Sequence, residues 1–146
     1  MRSLLLAALL GITAMNATHA KDAPHTPPAG SAERKAILDA ARVPPEHALG
    51  KPVQFVVKHL QVLDGWAFLS ASMQGPGGQP VDYRGTRYQE AAEHGLKSDN
   101  YVALLKQQQG AWRVQTYSVG PTDVAWADWS ASQGAPAALF PGMDGG

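Results

Sequence analysis

The residues of this chain whose types could do chemistry fall in four places, and none of the four is a complete motif. Histidine is the first side chain to weigh, because its ring titrates near neutral pH and serves as general base or metal ligand. His59 stands in "VQFVVKHLQV" in step with Val53, Phe55 and Val57, so simple alternation sends all four to one strand face. At the mouth of a concave face it could act as a general base, with Asp82 or Asp99 to orient it. The plainer alternative is a half-buried imidazole bonded to a neighbouring element. His25 and His47 stand in connecting segments. "EAAEH" gathers Glu90, Glu93 and His94, but a solvated helix end whose His complements the helix dipole accounts for them. There is no His-Glu-x-x-His and no other zinc-like spacing, so neither a metal nor a cofactor is expected.

The densest polar and aromatic cluster is "DYRGTRY", with Asp82, Tyr83, Arg84, Thr86, Arg87 and Tyr88 around Gly85. Arginine and tyrosine anchor interfaces because they combine contact area with directed hydrogen bonds. Equally, Asp82 could pair with one of the arginines and hold a crossing segment in place. The last place is "SVGPTDVAWADW", where Asp123 and Asp128 flank Trp126 and Trp129. Indole faces beside carboxylates suit a sugar ring. The i, i+3 spacing of Trp126 and Trp129 also suits two apolar anchors of a tail folded back on a core. The chain carries no Gly-x-Ser-x-Gly elbow, no phosphate loop and no cysteine nucleophile.

The compartment comes from the opening residues. "MRSLLLAALLGITAMNATHA" has a basic start, an apolar run from Leu4 to Ile12, and small residues at Thr18 and Ala20. The run is too short to span a bilayer, which takes about 20 residues, and the pattern is that of a cleaved secretory signal over residues 1–20. Periplasmic or secreted localisation follows, with no stable membrane span after cleavage. Loss of Arg2 turns a balance of 12 basic and 12 acidic residues into a single excess acid. No basic stripe supports nucleic-acid binding. Without cysteine an exported chain must rely on an apolar core rather than disulfides.

The elements that must position these residues follow from periodicity. "KDAPHTPPAG", residues 21–30, lacks large apolar side chains and reads as a flexible linker. Residues 31–146 read as a single domain with an irregular C-terminal tail. Ser31 can cap a helix over "AERKAILDAARV", with Ile37, Leu38 and Ala41 on one side, stopped by Pro44-Pro45. "VQFVVKHLQV" and "WAFLSASM" read as a hairpin through a type I′ turn at Asp64-Gly65. Trp66 and Phe68 share one face of the return strand, and Ala67, Leu69 and Ala71 the other. "QEAAEH" has helical propensity up to Gly95. "YVALLKQQ" and "AWRVQTYSV" form a second hairpin around Gln109-Gly110-Ala111. Trp66 and Trp112 follow the two turns closely, where large aromatics stabilise antiparallel pairs.

Helix, hairpin, crossing and hairpin, carried by "ERKAILDAAR", "PVQFVVKHLQVLDGWAFLSA" and "YVALLKQQQGAWRVQTYSVG", resemble small exported proteins of the cystatin-like or NTF2-like α+β type. The resemblance implies an N-terminal helix packed across a curved antiparallel sheet. It carries no catalytic residue across, since such folds host many functions. The expectation is a non-enzymatic domain that recognises a protein or envelope ligand, with an inhibitor or immunity-type role in that class. Asp82, Tyr83, Arg84, Arg87, Tyr88, Trp126 and Trp129 would make the contacts. The alternative is a small NTF2-like enzyme or ligand carrier, its pocket lined by Phe55, Val57, Trp66 and Phe68 and served by His59, Asp82 and Asp99.

Overall fold

The computed structural model describes residues 23–142. The segment read as a signal peptide, residues 1–20, lies outside them, as do residues 21–22 and 143–146. The described chain is α+β, one curled antiparallel sheet preceded by a long helix. None of its helices is long and apolar enough to cross a membrane.

Helix α1 covers Ala32–Leu49, and the Ser31 side chain accepts the Arg34 backbone N–H at 3.2 Å. Its buried stripe is Ile37, Ala41, Pro45 and Leu49, one residue per turn on one side. The helix therefore does not stop at Pro44-Pro45 as expected. It runs on to Gly50, which takes a left-handed φ of 68° and donates its N–H to the Glu46 carbonyl at 2.8 Å. A proline inside a helix costs about 3 kcal/mol through the donor it lacks and its clash with the preceding turn. Here the stripe continues across the pair. Burial of Pro45 and Leu49 on the sheet offsets that cost, since burying one leucine-sized side chain is worth about 1.5–3 kcal/mol.

Four strands follow as a meander in the order β1-β2-β3-β4: β1 Gln54–Leu63, β2 Trp66–Gln74, β3 Asn100–Gln108 and β4 Ala111–Val119. Both hairpin turns have positive φ at each central residue, Asp64 and Gly65 (51° and 76°), then Gln109 and Gly110 (53° and 78°). That is the type I′ geometry whose twist matches the flanking strands. Both turns lie at one end of the sheet, tied by the Gln107 N–H to the Gly65 carbonyl at 2.8 Å. The start of β1, the end of β2 and the long β2–β3 crossing lie at the other end. The crossing holds a short helix, α2, at Gln89–Glu93.

The strand faces differ from plain alternation at one point. The β1–β2 register shifts between Val57 and His59, leaving Lys58 as a bulge. An extra residue inverts the pleat beyond it. Phe55 and Val57 therefore share the α1 face with Leu60 and Val62, and His59 turns to the other face. The placement of His59 beside Phe55 and Val57 is corrected accordingly.

Each face carries its own core. Against α1 lie Leu60, Val62, Leu69, Met73, Tyr101 and Leu105, with Ile37 and Ala41 fully buried among them. Against the opposite face lie residues of the C-terminal tail. Short helix α3, Trp129–Gln133, and the turn at Ala137–Leu139 bring Trp129, Leu139 and Phe140 onto Trp66, Phe68 and Leu104.

The part of the proline-rich segment that lies within the described residues is docked rather than free. His25 exchanges backbone hydrogen bonds with Val62 at 2.9 and 2.8 Å, Pro27 is buried, and Gln61 Nε2 donates to Thr26 Oγ1 at 2.8 Å. Its composition promised little apolar burial, but the open edge of β1 offers backbone partners instead.

Candidate functional site

Filling of both sheet faces decides where a ligand can go. A pocket lined together by Phe55, Val57, Trp66 and Phe68 cannot form, because the first pair faces α1 and the second faces the tail. His59 packs at 5.6 Å from the Phe68 ring, and its Nε2 lies 3.1 Å from the Leu139 carbonyl. No hydrogen bond joins it to Asp82 or Asp99 among the described residues. Asp82 is paired instead with Arg84. The triad of His59, Asp82 and Asp99 is thus not assembled; His59 fastens the tail. Trp126 and Trp129 do the same work, at 5.5 and 6.3 Å from the Phe68 ring, with Trp129 buried. Their expected role as binding residues is corrected to core packing, because both indoles pack against the buried Phe68 ring. Asp123 and Asp128 remain exposed beside them.

The cluster from Asp82 to Tyr88 is built differently. Residues 81–83 are irregular and 84–88 form successive turns, and the segment is pinned to the core at Tyr83. Tyr83 is buried and donates its hydroxyl hydrogen bond to the Ser98 carbonyl at 2.5 Å. Burial, helped by the Asp99 and Tyr88 charges, pushes its pKa up to about 12. Gly120, at φ 66°, lets this happen: a Cβ there would collide with the Tyr83 hydroxyl and come within 2.9 Å of the Lys97 side chain and the Ser98 carbonyl. Tyr88 is half-buried, edge-on to Tyr83 at 6.0 Å. Arg87 lies over its ring at 4.9 Å and donates to its hydroxyl at 2.8 Å, and Lys97 covers it at 4.7 Å. The Tyr88 hydroxyl bond is the main reason Arg87 holds its proton more tightly than usual. Tyr83 and Tyr88 are therefore supports, and Arg87 is half support and half surface.

Arg84 projects from these supports. Its side chain is 85% exposed, yet its Nε and Nη2 meet both Asp82 carboxylate oxygens at 2.8–3.1 Å, and its backbone N–H meets Oδ1 at 3.0 Å. The guanidinium holds the Asp82 carboxyl well below the usual carboxylate range. The fork is oriented before anything binds, and Nη1 makes no hydrogen bond among the described residues. Gly85 sits at φ 76°, and its N–H is accepted by Gln89 Oε1 at 2.8 Å, which ties the loop tip to α2.

Beside this loop lies an open cleft of about 610 Å³ between the end of α1 and the turn after β2. Lys51 enters it directly after the Gly50 cap and donates Nζ to the Asp82 carbonyl at 2.9 Å. Val53, Val81 and three prolines form its apolar wall, and Gln74 and Gln79 place amides on its rim. Another hollow, about 720 Å³, lies at the hairpin end, where His25 Nε2 and Glu33 Oε1 already satisfy each other at 2.8 Å. No group of three or more His, Asp or Glu side chains among the described residues is placed to hold a metal ion.

Lys51, Gln74 and Gln79 were not among the residues singled out from the sequence. The signal was present in the hairpin itself. A turn at Asp64-Gly65 brings the start of β1 beside the end of β2, so "GKP" and "QGPGGQP" must meet. No family model, no curated protein and no solved structure matches this chain.

Proposed function

We propose that this protein is a non-enzymatic, exported binding module that recognises a protein or envelope ligand through the segment Asp82–Tyr88. The observation that carries the reading is the build of Arg84: an exposed guanidinium, held by three hydrogen bonds to the Asp82 carboxylate, on a loop anchored by buried Tyr83. A side chain ordered before binding loses less entropy on contact. Export rests on the leader at residues 1–20, and the cystatin-like or NTF2-like assignment on the sequence of one helix followed by a four-strand meander. Trp126 and Trp129 are occupied in the core, so the contact set is Asp82, Arg84 and Arg87 with Lys51 beside them.

The test is affinity capture from periplasmic and culture-supernatant fractions with the wild type and with Arg84→Ala plus Arg87→Ala. Circular dichroism of the variant controls for folding. A partner retained by the wild type and lost by a folded double variant supports the reading. Capture of every partner by both proteins alike would sink it.

A further inference from the structure

We infer that the cleft between Lys51, Gln79 and Arg84 binds an extended peptide through a carboxylate. The inference deepens the binding-module reading and rests on it. Cationic groups outnumber anionic ones on the walls, since Lys51 and Arg84 face it with Asp82 alone opposing them. The single Asp82 carboxylate is already bound to Arg84, and the Lys51 ammonium uses one donor on the Asp82 carbonyl. An ammonium has three donors and a guanidinium five, so both cations keep donors for a ligand. A net single positive charge matches a monoanionic carboxylate; a phosphate dianion would be left undercompensated.

The rest of the wall describes the remainder of the ligand. Pro52, Pro76 and Pro80 give a stiff apolar surface, and Val53 closes the floor. The Gln74 and Gln79 side-chain amides make no hydrogen bond among the described residues, and each offers both a donor and an acceptor. Amides of that kind satisfy a peptide backbone. The turn that carries them is closed by Gly75 N–H to the Gln79 carbonyl at 2.8 Å, so the rim is formed before binding. The cleft opens to solvent, and its volume falls in the ordinary range for ligand sites, about 300–1,000 Å³.

The experiment uses the exported full chain, isotopically labelled and purified as the producing host processes it. Backbone amide shifts are followed by NMR during titration with three pools of acetylated hexapeptides. One pool has neutral side chains and a free C-terminus, one the same sequences amidated, and one is amidated with a single internal Glu. Inorganic phosphate is the fourth probe. The expected result is movement of the Lys51, Gly75, Gln79 and Arg84 amides with a carboxylate-bearing pool. Binding should be about tenfold tighter than for the neutral amidated pool and be lost in Lys51→Met and in Arg84→Gln. Preference for the first or third pool tells a C-terminal carboxylate from a side-chain one.

Equal binding of the neutral pool overturns the inference. So does equal binding of phosphate, movement centred elsewhere, or no movement at millimolar peptide. If partner capture still depends on Arg84 and Arg87 while all pools fail, the binding-module reading stands and only the cleft assignment falls. If capture is unchanged in the double variant, both fall.

Discussion

Phe68→Ala is the most informative single change, because Phe68 decides whether the tail is part of the fold or a binding surface. The ring is fully buried and meets His59, Trp126, Trp129 and Phe140 at centroid distances of 5.6, 5.5, 6.3 and 4.9 Å. Truncating a buried phenylalanine costs about 3–5 kcal/mol. Each aromatic pair is worth about 0.5–1.5 kcal/mol beyond area burial, but these are not additive for one shared ring, so the upper part of that range is expected. Against a total of about 5–15 kcal/mol for a domain of this size, the loss is about a quarter or more. With a urea slope of about 2 kcal/mol/M, the midpoint should fall by about 2 M. Unfolding is followed by circular dichroism and by tryptophan emission in a Trp112→Phe background, which removes the indole on the α1 face. In the native baseline Trp126 and Trp129 emission should shift to longer wavelength as the tail lifts, and limited proteolysis should cut first between residues 120 and 140. A loss below about 1 kcal/mol, with emission and cleavage unchanged, would refute the assignment of the tail as a second core.

Four further outcomes follow from particular contacts. Gly120→Ala places a methyl group against the Tyr83 hydroxyl at a positive φ, so urea denaturation should show a loss of at least about 1–2 kcal/mol, and the Arg84 and Gly85 amides should shift in NMR spectra. Tyr101→Phe removes a buried hydroxyl that has no hydrogen-bond partner among the described residues and should raise stability by about 1 kcal/mol in the same assay. Pro44→Ala restores a helix donor inside α1; net of the extra entropy of the unfolded chain it should stabilise by about 1–2 kcal/mol. Tyr83 has a folded pKa raised to about 12 from an ordinary value near 10, so the unfolded state releases its proton first. Its contribution is complete below pH ~10 and should disappear as pH rises from ~10 through ~12. An ultraviolet phenolate titration in parallel with circular dichroism checks this, and Tyr83→Phe should flatten that part of the profile.

Much of the architecture was legible because local signals agreed. Asp64-Gly65 and Gln109-Gly110 specified the two hairpins, and the Ile37, Ala41 stripe specified a helix against a sheet. Two features were hidden for definite physical reasons. Lys58 looks like any strand residue, and only pairing with β2 reveals it as a bulge, so His59 was sent to the wrong face. Pro44-Pro45 looked like a stop, since the local cost is visible in sequence and the burial of Pro45 and Leu49 is not.

The two glycine-tryptophan hairpins show how close the code runs. Trp66 follows Gly65 directly, while Trp112 follows Gly110 after Ala111, and this one-residue difference puts the indoles on opposite faces. At the candidate site, the sequence singled out Asp82 and Arg84, which the structure pairs with each other. The cleft beside them follows from the Asp64-Gly65 hairpin, which brings Lys51 next to Gln74 and Gln79, but one lysine and two amides carry no motif that marks them out along the chain.

Recognition at the crossing between β2 and β3, rather than inside the helix–sheet core, is tested most directly by a photoreactive residue installed in the exporting cell at Glu90. That position is exposed on α2 beside the Arg84 loop and outside its contact set, and the same residue at exposed Val43 on α1 is the control. A discrete crosslinked adduct from position 90 that is absent from position 43, and that disappears when Arg84→Ala is added, is the expected result. No adduct from position 90, or the same adducts from both positions, would contradict recognition at the crossing.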